Sequence, residues 1–365
     1  MNRILCVVGG MNAGGAETFL MKIFRKLDRT KYQMDFCVSS DKEGYYDKEI
    51  LASGGKIFHT TPKTKGSVKS FLSLRKIVKD NDYKCVMRVS QHSLSCMELV
   101  AAKCGGAKRV VFRSSNSGTG GGSVNRFLHK VFAFLPKYVP DVRIAPSTEA
   151  AEFMFGKRNV KKGKVHLLHN AIQVDNYLYN AQKREELRKE LNLEDKFVIG
   201  HIGRFANQKN HEFLVDVFYE ITKKCDNAHL VLIGDGDLKS QIEKKVKSLS
   251  LDDKVSFLGV RNDVPDLLSA FDVKLFPSFF EGMPNTVIEA QAASLHCVIS
   301  DTITKEANIT GLVDYLPLNN DANMWADKVL EYKDYERKNM KEIFVKEKYD
   351  ISSTVDEFVK LVFKE

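Results

Sequence analysis

The chain has 365 residues, 43% hydrophobic and 28% charged, enough to fill two cores and to cover a water-facing surface. Its net charge of +9 is unevenly divided: residues 1–180 carry 30 Lys and Arg against 14 Asp and Glu, and residues 181–365 carry 26 against 33. No apolar run approaches the roughly 20 residues of a membrane-crossing helix, which argues against an integral helical membrane protein.

In chain order, the first half alternates short β-branched runs with amphipathic stretches. Ile4–Val8, Met34–Val38, Lys56–His59, Cys85–Val89, Arg109–Arg113, Val142–Ala145 and Lys164–Leu168 read as strands. Thr18–Leu27 and Val68–Lys79 read as helices between them. Met1–Val8 is too short for a signal peptide and has no small-residue cleavage site, so it reads as a first core strand. After Arg113 comes Ser114–Ser123, rich in Ser and Gly, which can hold neither helix nor strand. It follows a strand directly, at the edge where open α/β sheets bind ligands.

The second half repeats the pattern. Phe197–Ile202, His229–Ile233, Val255–Phe257, Val273–Phe276 and Cys297–Ser300 read as strands. Glu212–Lys223, Leu238–Leu249 and Thr286–Ala293 read as helices. The polar stretch Asn180–Asp195 reads as a surface helix beside a junction near Asn170–Tyr179. The predicted fold class is α/β, with two Rossmann-like domains in tandem.

The seven cysteines are scattered, with no Cys-x-x-Cys pair. That argues against a disulfide framework or a zinc site and points to a reducing cytoplasm. The basic first half points to anionic lipid headgroups or a phosphorylated acceptor. No Arg-rich recognition helix or aromatic RNA-binding signature points to nucleic acid.

Two segments carry the chemistry. In 276–293, Glu281 follows a strand, Gly282 and Pro284 shape a tight loop with Met283 between them and Asn285 after, and Glu289 lies in the next helix. A helix N-terminus offers unpaired N–H groups and partial positive charge, which suit a diphosphate. In 199–210, a strand runs into Gly203, and Arg204 and Lys209 bracket the following loop. An Arg fork and a Lys point charge can clamp a pyrophosphate and stabilise its charge as it leaves.

Together these segments resemble the family-four GT-B glycosyltransferases, marked by Glu-x7-Glu carrying Glu-Gly-x-Pro and by Gly-Arg-x4-Lys. Met11–Glu17 is similar to the family's glycine-rich first loop, His169–Ile172 to its interdomain segment, and Gly234–Gly236 and Phe257–Gly259 to its nucleotide-side loops. The resemblance covers nearly the whole chain. It implies two domains facing across a cleft: an acceptor domain, 1–172, joined by a C-terminal helix within 348–365 that crosses back, and a nucleotide-sugar donor domain, 173–347.

By the resemblance, Arg204 and Lys209 hold the donor diphosphate, Glu289 the ribose and Glu281 the sugar. Gly14, Gly15 and 282–285 approach the donor, and the base rests near Arg261. His92, Arg113 and Asn116 are acceptor-side candidates; where relatives often carry His, this chain has Arg113. The family implies a retaining hexosyltransferase that needs neither cofactor nor metal. Asp235-Gly236-Asp237 has metal-motif spacing but falls on the nucleotide side. The expected reaction moves a hexose or N-acetylhexosamine from a UDP-sugar to a glycan or polyprenyl-diphosphate-linked acceptor. The expected setting is capsular or exopolysaccharide synthesis at the inner face of the membrane. Three other readings are a nucleotide-sugar 2-epimerase on the same scaffold, a nicotinamide dehydrogenase suggested by Gly9-Gly10-x4-Gly15, and a non-catalytic membrane-associated scaffold, against which the intact set Arg204, Lys209, Glu281 and Glu289 argues.

Overall fold

The structure is a computed structural model that describes residues 2–12, 14–115, 123–319 and 321–363. It divides into two compact units, Met1–Ala171 with Ile351–Glu365, and Ile172–Asp350.

In the first unit, seven parallel strands stand in the order β3-β2-β1-β4-β5-β6-β7. They are β1 Asn2–Val8, β2 Tyr32–Val38, β3 Ile57–His59, β4 Cys85–Ser90, β5 Arg109–Ser114, β6 Val142–Ala145 and β7 His166–Leu167. Parallel sheets are covered on both faces, so their strands read as continuous apolar runs. In β1, Ile4, Cys6 and Val8 join one core, and Leu5 and Val7 join the other. The period of two along a strand produces that division. One buried carboxylate of this sheet is fully engaged: Asp35 accepts from Arg3 Nε and Nη2, each at 2.7 Å, and from the Tyr83 hydroxyl at 2.6 Å.

The second unit has six parallel strands in the order β10-β9-β8-β11-β12-β13. They are β8 Phe197–Ile202, β9 Ala228–Ile233, β10 Val255–Gly259, β11 Val273–Phe276, β12 His296–Ser300 and β13 Val313–Leu316. β13 has no counterpart in the sequence reading. It is an edge strand of only four residues, three of them half-exposed, and its Asp314 breaks the apolar run. The stretch read as a surface helix is helical over Ala181–Glu190, but it is not wholly a surface element. Leu187 and Arg188 are buried, and Arg188 donates to the Ala270 carbonyl and pairs with Asp272.

The last helix, Ile351–Phe363, belongs to the first unit. Ile351, Val355, Phe358 and Val362, spaced for one helical face, are buried in the core that also holds Ile4, Phe24 and Phe36. Arg109 donates to the Leu361 carbonyl at 2.6 Å. A Phe358→Ala substitution should therefore cost the first unit about 3–5 kcal/mol. Trp325, the sole tryptophan, is buried in the second unit. Urea unfolding followed by far-UV circular dichroism should gain an early phase in this variant, while the Trp325 fluorescence transition stays in place. A single transition displaced equally in both signals would refute that assignment.

Candidate active site

The site forms at the carboxyl edge of the second sheet. β8 ends at Ile202, and the Gly203 amide donates to the Ile233 carbonyl at 2.9 Å. Beside it, Gly234 has φ of +137°, and a Cβ there would lie 2.1 Å from the Gly203 carbonyl oxygen. Only glycine permits this backbone-on-backbone approach. The Phe205 amide donates to the Asp235 carbonyl at 3.0 Å, which fixes the second loop to the first. Arg204 stands exposed on the crest of this arrangement. The turn Asn207–Lys209 follows, and Asn210 takes left-handed geometry, φ +54°, before the helix His211–Thr222.

A second segment leaves β11 through Pro277 and Ser278. The Phe279 amide donates to the Gln208 carbonyl, and the Gln208 side-chain amide donates to the Phe280 carbonyl, both at 2.9 Å. Lys209 Nζ lies 2.7 Å from Glu281 Oε1, with both side chains largely shielded, and 4.5 Å from the centre of the Phe276 ring. The structure thus brings together the two motif segments recognised in the sequence, 72 residues apart.

The helix Asn285–Ala292 begins directly after this loop, with no side-chain cap and no acidic residue in its first turn. Its first N–H groups and dipole favour an anion. Asn285 Oδ1 and Thr286 Oγ1, at the same end, are buried without a hydrogen-bond partner. One turn on, Glu289 Oε1 accepts the Tyr177 hydroxyl at 3.3 Å.

Three residues here had no place in the sequence reading. Lys274, in the middle of β11, is fully buried and its Nζ has no hydrogen-bond partner. Burial lowers its pKa to about 8. His201 Nδ1 contacts the Leu275 carbonyl at 2.9 Å, which requires the proton on Nδ1. His211 stacks on Phe205 at 4.2 Å and meets His201 edge-on at 4.7 Å. Desolvation pushes His201 well below the ordinary histidine range and His211 to about 4. The only sequence signal for these three is a polar residue inside or next to an apolar strand.

Arg261 follows β10 and is held by Asp263, Nε to Oδ1 at 2.8 Å. It lines a cavity of about 890 Å³ together with Asp175, Asn180 and Asp266. Gly282 and Met283 complete the loop between Glu281 and Pro284, which precedes the helix.

The remaining candidates lie in the first unit. Gly14 precedes the helix Gly15–Lys26, and a Cβ there would meet only the flexible end of Glu17. A Cβ on Gly15 would meet nothing within 4 Å, so packing within the chain does not demand glycine there. His92 uses both ring nitrogens: Nδ1 accepts from the Leu94 amide at 3.2 Å, and Nε2 contacts the Asn125 carbonyl at 2.9 Å. Arg113 is 1% exposed, donates to Asn170 Oδ1 at 2.7 Å and stacks on Phe19 at 3.6 Å. Burial lowers its pKa to about 9. Asn116 and residues 117–122 lie outside the described residues.

Two Rossmann-like units in one chain define the architecture of the GT-B glycosyltransferases. Residues 13–176 match the family model described as Glycosyltransferase Family 4, and residues 196–334 that described as Glycosyl transferases group 1. EpsF of Bacillus subtilis, a protein named as a glycosyltransferase, is 33% identical over 90% of this chain and 86% of its own. An Escherichia coli UDP-Gal:alpha-D-GlcNAc-diphosphoundecaprenol alpha-1,3-galactosyltransferase is 27% identical over 64% of this chain and 62% of its own. The fold of Anabaena HepE, solved with UDP and glucose, superposes with a TM-score of 0.73 at 16% identity, over 99% of each chain. The chain belongs to the family-four, group 1 glycosyltransferases.

Two buried groups couple the stability of the second unit to pH. His211 is neutral in the fold, whereas the unfolded chain takes up a proton below about pH 6.5. Its contribution is complete above that pH and is lost as pH falls toward 4, a change on the order of 3 kcal/mol at most. His229 shares the window, and His201 is shifted in the same direction by burial. His211→Leu should therefore flatten part of the acid limb of a stability–pH curve measured with urea; an unchanged limb counts against the burial argument. Lys274 has the same sign in another window. Its depressed pKa makes the unfolded chain bind more protons between about pH 8 and 10.5, so stability rises with pH there. Lys274→Met should raise the melting temperature at pH 7 and abolish that alkaline rise.

Proposed function

We propose that the chain transfers a hexose or N-acetylhexosamine from a UDP-sugar, with retention of anomeric configuration, to a glycan or polyprenyl-diphosphate-linked acceptor. The observation that carries this reading is the Lys209–Glu281 ion pair beside the uncapped helix Asn285–Ala292. The names of two relatives support the donor and acceptor classes: the E. coli relative uses UDP-Gal and a diphosphoundecaprenol acceptor, and HepE was solved with UDP.

In this proposal the diphosphate sits at the N-terminal end of that helix, between Arg204 and Lys209. It competes with Glu281 for Lys209, which releases the Glu281 carboxylate to accept hydrogen bonds from sugar hydroxyls. Glu289, oriented by Tyr177, accepts from the ribose hydroxyls. Arg261 lies on the base side. The bond from the anomeric carbon to the diphosphate oxygen breaks as the acceptor oxygen adds on the same face. The acceptor proton passes to the leaving phosphate oxygen. Two cations and the helix dipole stabilise the charge that develops, so the transfer needs no bound metal. Asn116 would serve the acceptor directly, while His92 and Arg113, whose polar groups bind neighbouring residues, would hold the acceptor-side loops in place. The setting is surface-polysaccharide synthesis at the cytoplasmic face of the membrane, to which the basic first unit is drawn.

Thermal-shift titration should show stabilisation by UDP and not by GDP, ADP or NAD. Arg204→Ala or Glu289→Ala should remove that shift. A hydrogen bond to a charged group is worth about 1.5–3 kcal/mol, so each change should weaken UDP binding by about ten- to a hundredfold. Once an acceptor is found, proton NMR of the product should show the donor's anomeric configuration, with turnover unaffected by EDTA. An inverted product, an EDTA-sensitive rate or a response to NAD alone would each overturn the corresponding part.

A further inference from the structure

Lys274 is the only buried lysine among the described residues. It stands inside β11, whose other residues, Val273, Leu275 and Phe276, are apolar. Val273 and Leu275 join one core of the second unit. Phe276 joins the other, with Cys297 and with Val287 and Ala290 of the helix Asn285–Ala292. The period of two along a strand puts Lys274 on the Phe276 face, beneath that helix. Its register partners are Gly200 of β8 and Cys297 of β12. Gly200 brings no side chain, and burial pushes the Cys297 thiol up to about 12, so neither offers an anion. Lys274 Nζ accordingly has no hydrogen-bond partner among the described residues. An apolar side chain would be more stable in such a place.

The charges that face Lys274 belong to the candidate donor site. Its Nζ lies 5.4 Å from the centre of the Phe276 ring, and Lys209 Nζ lies 4.5 Å from the same centre. Glu281, in the loop after β11, and Glu289, in the helix above, are the carboxylates within its electrostatic reach, and Lys209 is the cation. From β8, His201 is held neutral by burial, with Nε2 below Gly203, where a Cβ would lie 2.9 Å from it. Lys209 is paired with Glu281 at 2.7 Å. A diphosphate that draws Lys209 to itself takes that cation from Glu281 and adds negative charge beside both carboxylates. Lys274 is the buried group below them that can then supply a positive charge.

We infer that Lys274 is a positioning residue of the donor site: when the donor diphosphate draws Lys209 away, Lys274 takes up a proton from solvent and becomes the cation that holds the Glu281 and Glu289 carboxylates. The inference rests on the proposed donor site and adds to it a residue that the donor does not touch. Burial lowers the Lys274 pKa to about 8, and added negative charge raises it again in the complex. Well below the lower value Lys274 is charged in both states and assists binding in full. Above the raised value it is neutral in both and contributes nothing. Between the two, binding takes up protons and affinity falls as pH rises.

The test is calorimetric titration of the full chain with UDP in two buffers of different ionisation enthalpy. At about pH 8.5, well above the second phosphate ionisation, the parent should take up about 0.3–0.5 proton per UDP. Lys274→Met keeps the length of the side chain without its charge, and it should take up none. At about pH 7 this variant should bind UDP about three- to tenfold more weakly than the parent, and the gap should close to less than about twofold by about pH 9. The variant should keep the parent's circular dichroism, so that the weaker binding is not a loss of fold. Absence of proton uptake in the parent would overturn the inference, with or without the variant. Equal uptake in Lys274→Met would overturn it too, as would a binding deficit that does not change with pH, which would leave Lys274 a packing residue only. In each of these cases the donor site itself would stand, since UDP still binds. Failure of the parent to bind UDP at any pH would instead sink the donor reading, and this inference with it.

Discussion

Parallel pairing is the constraint from which the rest follows. When every strand of a sheet runs the same way, each connection must cross back over a face, and helices cover both faces. All the loops that leave strand carboxyl ends then share one edge. In the second unit, the loops after β8, β9, β10 and β11 gather there, joined by the amides of Gly203, Gly234, Phe205 and Phe279. Residues distant in sequence thereby become neighbours without any contact built for that purpose. The Lys209–Glu281 ion pair is the product of two strand ends standing side by side in the order β8-β11.

Several polar groups at or below that edge are left without internal partners. A soluble protein rarely buries such atoms unless something supplies the missing bond. Here Asn285 Oδ1, Thr286 Oγ1, His201 Nε2 and Lys274 Nζ are all buried and unpartnered within the same unit. The first two stand at a helix end whose amides lack a side-chain cap. The last two lie deeper, in or beside the strands, and they lower the stability of the unit at the pH where each would carry charge. Such costs, of a few kcal/mol each, are a substantial part of a domain's margin.

Much of this was legible in the sequence, for identifiable reasons. The strands at the centre of each sheet are apolar runs bounded by glycine or polar residues, so β1, β8 and β11 are readable directly. β13 was not, because an edge strand with Asp314 in it carries no such run. The motif residues Arg204, Lys209, Glu281 and Glu289 were legible through their spacing and their resemblance to a family. Tyr177 was not, because its link to Glu289 spans 112 residues and leaves no local pattern. His92 could be located but not interpreted: only the fold shows that both its ring nitrogens bind neighbouring backbone. Val124, Phe127 and Val131 recur at helical spacing and stand exposed on the helix Ser123–Val131, yet period alone cannot tell an outward face from an inward one. Burial decides that, and burial belongs to the fold.

The chain order of the two units has one more consequence. The first unit begins at the amino terminus but takes its last core residues, Ile351 through Val362, from the end of the chain. On a ribosome, synthesis proceeds from the amino end at roughly 5–20 residues per second, and domains ordinarily fold as they emerge. Here the unit made first waits for the unit made second. Through the synthesis of residues 172–350, the face of its core that will receive Phe358 is still uncovered, and it closes only once residues 351–362 have been made. The second unit, continuous in sequence, can fold in the interval. A nascent chain of this design therefore completes its halves in the reverse of the order in which they are begun.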